Sequence, residues 1–117
     1  MRSEKYGQLI DRLIAKTNRG ELDWKEGVYP KSFQVSFPKY SLVLRERDYT
    51  ADFGREITIT MLDMFGKVID TISNLEVDAE GAEKPYRRRM ADLFMAVRQQ
   101  AFRADKAVEE ILSELGE

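Results

Sequence analysis

The sequence predicts an α+β domain with an N-terminal helix, a four-stranded antiparallel β-meander and a C-terminal helical segment packed on one face of the sheet. The period of the apolar residues supports this prediction. They recur every three or four positions before residue 20, alternate with polar residues between 32 and 72, and return to helical spacing after 85. With 117 residues, 43% of them hydrophobic, the chain can bury one core. We therefore expect a single domain over residues 1–117.

The first helix is expected over about residues 3–18, where one apolar stripe consists of Tyr6, Leu9, Ile10, Leu13 and Ile14. Gly20 stands where a left-handed C-terminal cap is needed. A connector follows over residues 21–31 and contains the only tryptophan, Trp24. A tryptophan beside a helix end could serve as a binding anchor, but large aromatic side chains more often pack. We expect Trp24 to close one end of the core.

Four strands are expected between residues 32 and 72. The runs 32–37, 40–45 and 57–61 have apolar residues at alternate positions, which is typical of a sheet with one buried face and one wet face. Residues 68–72 make a fourth run. Residues 63–67 include Gly66 and are predicted to form a short hairpin connection. Residues 46–54 are more polar and are predicted to form a longer loop.

The end of the chain is predicted to be helical, as one helix or as two. Pro85 suits a first helical turn, and the apolar stripe then comprises Met90, Leu93, Phe94, Val97, Ala101, Ala104, Val108, Ile111, Leu112 and Leu115. One helix of about 30 residues fits this spacing. Arg98 and Arg103 suit a helix C-terminus, however, and Asp105 suits a new N-terminus, because of the helix dipole. The charges thus favour two helices, 85–103 and 105–115, joined by a kink.

The same patterns predict the core. We expect it to comprise Leu9, Leu13, Trp24, Phe33, Val35, Leu42, Leu44, Ile57, Ile59, Leu93, Val97, Val108 and Ile111.

Both ends of the chain contain hydrophobic-pattern motifs. The first is Leu9-Ile10-x-x-Leu13-Ile14-x-x-Thr17-x-x-Gly20-x-Leu22-x-Trp24. The second is Leu93-Phe94-x-x-Val97-Arg98-Gln99-Gln100-Ala101, followed by Asp105-Lys106-Ala107-x-x-Glu110-Ile111-Leu112. These motifs resemble those of a widespread family of small, uncharacterised bacterial helix–β-meander–helix proteins. The resemblance implies this architecture and brings no catalytic residue with it.

The composition excludes most familiar catalytic sites. The chain has no histidine and no cysteine, which excludes Ser–His–Asp and Cys–His nucleophiles, thiol redox motifs and ordinary zinc sites. It also lacks a P-loop and the G-x-G-x-x-G motif, so no phosphate cradle is predicted. We therefore expect no enzyme activity, no cofactor and no metal.

The same composition bears on location. Without cysteine no disulfide framework can form, and the cytoplasm is the default compartment. The N-terminus is charged and no apolar run follows it, so neither a signal peptide nor a membrane span is expected.

One polar segment could still hold a carboxylate site. Asp48, Tyr49 and Asp52 share the predicted 46–54 loop, and two carboxylates could bind Mg²⁺ or Ca²⁺. Arginines at 45, 47 and 55 would compete for the same carboxylates. A solvated, salt-bridged loop is therefore the preferred interpretation, and an enzyme built on these carboxylates is the least favoured hypothesis.

Acidic and basic residues form separate blocks in the C-terminal third of the chain. Residues 76–83 carry −4, residues 84–103 carry +5, and residues 104–117 carry −4, although the whole chain carries only −2. The basic segment contains Arg87, Arg88, Arg89, Arg98 and Arg103, which could contact nucleic-acid phosphates. Consecutive helical residues point about 100° apart, so the arginine triplet fans around the helix, and the acidic flanks would repel a duplex.

These observations favour a non-catalytic protein-interaction module whose partner is another protein or a second copy of itself. Blocks of opposite charge can pair antiparallel with a second copy, which gives a route to a homodimer. Intrachain pairs at i,i+4 would explain part of the same pattern. The candidate surface comprises the five arginines together with Asp48, Tyr49 and Asp52. A nucleic-acid-associated regulator that uses residues 84–103 is the alternative, and no membrane partner is expected.

Overall fold

The computed structural model describes residues 2–48, 55–74 and 86–116. It is an α+β structure, as predicted. The helices are α1 (Arg2–Asn18), α2 (Tyr86–Ala101) and α3 (Ala104–Leu115). The strands are β1 (Lys25–Glu26), β2 (Ser32–Ser36), β3 (Tyr40–Asp48), β4 (Arg55–Asp63) and β5 (Val68–Ser73).

Helix α1 ends in a Schellman motif at the glycine that the sequence marked. Gly20 has φ +72°, its N–H donates to the Thr17 carbonyl at 3.0 Å, and the Glu21 N–H donates to the Lys16 carbonyl at 2.9 Å. These two bonds satisfy carbonyls that the end of a helix otherwise leaves without partners. The motif turns the chain sharply into the connector.

The strands form one antiparallel sheet in the order β1-β2-β3-β4-β5. The four predicted strands correspond to β2–β5, so the predicted number of strands is wrong by one. The additional strand, β1, has only two residues, and Lys25 pairs with Gln34 while Glu26 pairs with Phe33. Two charged, exposed residues give no alternation to detect. They pair because the connector runs along the free edge of β2.

Strands β3 and β4 are longer than their apolar alternation. Residues 46–48, predicted to begin a loop, belong to β3, where Glu46 pairs with Ile57 and Arg47 pairs with Glu56. Backbone hydrogen bonding does not require apolar side chains, so polar residues continue the ladder. Residues 49–54, the rest of the predicted loop, lie outside the described residues.

The connection from β4 to β5 is the predicted hairpin. The Asp63 side chain accepts hydrogen bonds at Oδ1 from the N–H groups of Phe65 and Lys67, both at 2.9 Å, and Gly66 has φ +83°. The ladder between β4 and β5 contains a β-bulge. Met61 pairs with Asp70 and Leu62 pairs with Val68, which leaves Ile69 as the extra residue.

The core lies between one face of the sheet and the stripes of α1 and α2. Phe33, Leu44, Ile59 and Ile72 form a row across four strands, and each is at most 2% exposed. They belong to one buried cluster that also contains Ile10 and Leu13 of α1 and Met90, Leu93 and Val97 of α2. Trp24 is 2% exposed in the same cluster, which confirms its predicted place in the core.

The break between the two C-terminal helices is confirmed. The turn consists of Phe102 and Arg103, and Arg103 adopts the left-handed conformation with φ 54° and ψ 53°. Two of the predicted core residues are wrong: Val108 and Ile111 of α3 are 54% and 58% exposed. The apolar face of α2 already contributes to the core, and the turn carries α3 away from it.

Candidate functional site

Helix α3 presents an uncovered apolar stripe, although none of its residues is buried. Val108, Ile111, Leu112 and Leu115 are each more than half exposed. At about 100° per residue, these four positions and Ala104 fall within about 100° of the helix circumference. An amphipathic helix of this kind normally places its stripe against another element. Here the stripe faces solvent.

Acidic side chains border that stripe on both sides. Asp105 and Glu109 follow one edge, and Glu114 and Glu110 follow the other, as the helical repeat requires. Lys106 is the single base in α3 and projects from the opposite side. Four acids against one base give α3 a formal charge of −3. The surface is therefore apolar in its centre and negative at its rim.

The outer face of α2 has the opposite character. Arg88, Ala91, Met95 and Arg98 are exposed and lie within about 80° of the helix circumference, away from the buried positions. Phe102 extends this row into the turn, where it is 48% exposed. The Arg98 guanidinium carbon lies 5.6 Å from the centroid of the Phe102 ring, within cation–π range.

A cavity of about 490 Å³ opens beside this outer face of α2. Phe33 lines it together with Phe94 and Phe102, and its ring centroid lies 5.6 Å and 5.5 Å from theirs in edge-to-face geometry. The charged residues Glu26, Lys31 and Glu46 also line the cavity. Met95 and Arg98 line the cavity on the α2 side. The row on α2 thus continues into an aromatic depression able to receive an apolar side chain.

The predicted arginines do not form one basic surface. Arg88 and Arg98 are exposed on the outer face of α2, whereas Arg89 turns towards α1 and forms an ion pair with Asp11, with nitrogen–oxygen distances of 2.7 and 2.8 Å. Arg103 is exposed in the turn. The backbone of Arg87 belongs to α2, but its side chain lies outside the described residues.

The predicted carboxylate cluster lies almost entirely outside the described residues. Asp48 ends β3, where its backbone pairs with Arg55, and its side chain is among those not described. Tyr49 and Asp52 also lie outside the described ranges. Arg47, one of the predicted competitors, contacts Glu56 instead, with Nη2 3.2 Å from Oε1.

The sheet face away from the core carries a shallow groove that combines hydroxyl groups with cations. Thr58, Thr60 and Ser73 line it together with Arg45. The Arg45 guanidinium lies 4.4 Å from the Tyr29 ring centroid, and its Nε is buried without a hydrogen-bond partner. Glu56 lines the groove as well, and its Oε2 accepts a hydrogen bond from the Ser73 hydroxyl at 2.8 Å.

Among residues 2–48, 55–74 and 86–116, no group of three or more acidic side chains converges in a way that could hold a metal ion. Within the same ranges, no helix is long and apolar enough to cross a membrane.

Sequence reasoning found the apolar stripe of residues 104–115 but assigned it to the core. Periodicity shows that a stripe exists and does not show what covers it. A signal was nevertheless present. The stripe is bordered by acids on both sides, whereas the buried positions of α2 are not.

Comparison of the chain with protein families, with curated proteins and with solved structures gives no match. The resemblance to small bacterial helix–β-meander–helix proteins accordingly stays a prediction.

Proposed function

We propose that this chain is a non-catalytic protein-interaction module that binds its partner through the apolar stripe of α3. The observation that supports the proposal is the exposure of Val108, Ile111, Leu112 and Leu115 on one side of a regular helix. Burying such a stripe in the groove of a partner is a common mode of helix recognition. Adaptors, immunity proteins, antitoxin-like proteins and inhibitors are the classes of protein that this activity suits.

Composition supports the non-catalytic part of the proposal. Without histidine or cysteine, acid–base and nucleophilic chemistry would depend on carboxylates, tyrosine, lysine or hydroxyls. In the groove on the open sheet face, the Glu56 carboxylate that accepts a hydrogen bond from Ser73 is also held in an ion pair by Arg47. The absence of cysteine also favours the cytoplasm as the proposed location.

The nucleic-acid alternative gains little support from the placement of the arginines. Arg89 is engaged by Asp11, and Arg98 lies against Phe102. The four acids of α3, which follow these arginines in the chain, would repel phosphates. We therefore keep the protein-interaction hypothesis ahead of the regulator hypothesis.

The proposal is tested by affinity capture with the full-length chain as bait, with and without nuclease treatment. The test variant carries Ile111→Asp and Leu112→Asp, which place charges in the stripe. The matched control carries Met64→Asp and Phe65→Asp in the β4–β5 turn, where two adjacent apolar residues are also strongly exposed. A second copy of the chain with a different tag is included among the possible prey.

We expect the same stoichiometric partner with wild type and with the Met64/Phe65 control, in both nuclease arms, and its loss with the Ile111/Leu112 variant. Recovery unchanged by the α3 substitutions would exclude the stripe as the binding surface. Recovery that disappears with nuclease, and that weakens steeply with salt and in an Arg87→Glu, Arg88→Glu variant, would favour the nucleic-acid alternative.

A further inference from the structure

We infer that the occupant of the α3 stripe is a second copy of this chain, and that α3 of each protomer packs on the outer face of α2 in its partner. This inference rests on the proposed function, because it identifies the partner that the α3 stripe binds. The contact is reciprocal, so it closes as a two-fold dimer in which each kind of contact occurs twice.

The two surfaces match in length and in apolar character. From Ala104 to Leu115 the α3 stripe rises about 16 Å, and the apolar part of the outer row, from Ala91 on α2 to Phe102 in the turn, covers about the same distance. Met95 and Phe102 are each about half exposed in the row on α2. The aromatic cavity beside them gives an apolar side chain of the partner's helix a place to insert.

The two surfaces are also complementary in charge. The outer face of α2 carries the bases Arg88 and Arg98, whereas α3 carries a formal charge of −3. Arg88 and Arg98 flank the apolar row on α2, and acids flank the stripe on α3. Pairing α3 with α3 would bring two acidic rims together, and pairing α2 with α2 would bring arginines together. Only the mixed pairing places opposite charges in contact.

Within one protomer these surfaces do not cover each other. Helix α3 contains no buried residue, and the stripe and the row on α2 both remain exposed. The left-handed Arg103 directs α3 out of the turn instead of back along α2. A second copy can therefore supply to each helix the cover that its own chain does not.

The test is sedimentation of the full-length chain over a range of micromolar concentrations, with three charge variants. The first carries Arg88→Glu and Arg98→Glu on α2. The second carries Glu109→Lys and Glu114→Lys on α3. The third combines all four substitutions. Circular dichroism and melting temperature establish that each variant is folded.

We expect wild type to dimerise, the α2 and α3 variants each to dissociate at least tenfold more readily, and the combined variant to recover most of the wild-type affinity. Recovery by double reversal is specific to an α2–α3 contact. Pairing of α3 with α3 would instead be strengthened by the second variant and unaffected by the first. That pattern, or a wild-type chain that remains monomeric throughout, would overturn the inference.

Failure here is distinguishable from failure of the proposed function. A monomeric chain that still captures a different protein through Ile111 and Leu112 would refute the dimer and keep the interaction module. A monomeric chain that captures nothing through these residues would refute both.

Discussion

The Trp24 indole donates a hydrogen bond from Nε1 to the Thr17 hydroxyl at 3.0 Å, and both residues are buried. The bond joins the connector to the end of α1. The backbone N–H of Trp24 donates in addition to Gln100 Oε1 of α2 at 3.1 Å. Trp24 thereby links the two helices that contribute to the core at one end of the domain.

This bond predicts the result of a double-mutant cycle. Thr17→Val leaves the buried indole N–H without its acceptor, so we expect a loss of about 1–3 kcal/mol in the free energy of unfolding. In a Trp24→Phe background the donor is already absent, and the same substitution should cost much less. Urea unfolding of the four proteins measures the coupling. Equal costs in both backgrounds would show that the bond contributes nothing.

Substitution of Gly20 is expected to cost stability through backbone conformation and not through a steric clash. A Cβ built at this position meets no atom within 4 Å, but φ is +72°. Gly20→Ala should therefore destabilise the chain by about 1–2 kcal/mol, the cost of placing an ordinary residue in the left-handed region. Gly20→Asn should cost less, since asparagine tolerates that region. Denaturant unfolding of both variants tests this, and an alanine variant as stable as wild type would contradict it.

Two valines on neighbouring helices provide a matched comparison. Val97 of α2 is 0% exposed and Val108 of α3 is 54% exposed. Val97→Ala should cost about 2 kcal/mol through lost burial and the cavity left behind. Val108→Ala should change stability by less than about 0.5 kcal/mol in the monomer. Urea unfolding at a concentration where the chain is monomeric compares them, and a similar loss from both would place α3 in the core.

Glu21 predicts a pH dependence at the end of α1. Hydrogen bonds from the Arg19 side chain first, and from Lys16 second, hold the pKa of the Glu21 carboxyl below its ordinary value. Since the folded pKa is the lower one, the stabilisation is present above the ordinary glutamate pKa and is lost as pH falls through the folded value. An NMR titration of the Glu21 carboxyl should show this lowered midpoint. Arg19→Gln should raise the midpoint, whereas Arg12→Gln should leave it unchanged.

Local signals account for much of the fold. The period of two in residues 32–72 identified four strands, and Gly20 and Gly66 marked a helix end and a turn that both adopt positive φ. The charges on Arg98, Arg103 and Asp105 indicated the helix break, although α2 ends at Ala101 and α3 begins at Ala104 instead of at the predicted residues 103 and 105. Each of these features depends on residues close together in the chain, so the sequence is sufficient to find them.

The candidate site was harder to predict, because exposure is not a local property. Val108 and Ile111 have the same helical spacing as Leu93 and Val97, yet only the latter pair is buried. The sequence does not show that Arg89, unlike Arg88, forms an ion pair. This depends on the packing of α1, which places Asp11 beside Arg89. The pairing of β1 also depended on where the connector runs.

The sequence by itself determined the three helices, the four longer strands and which side of each is apolar, because these follow from backbone preferences and side-chain period. The short strand β1 and the ends of β3 and β4 depended on strand pairing. Only the tertiary structure decided which apolar sides are covered. The sheet has one face within the core, and the stripes of α1 and α2 pack in that core with it. The third stripe, on α3, was therefore left in solvent with its acidic rim.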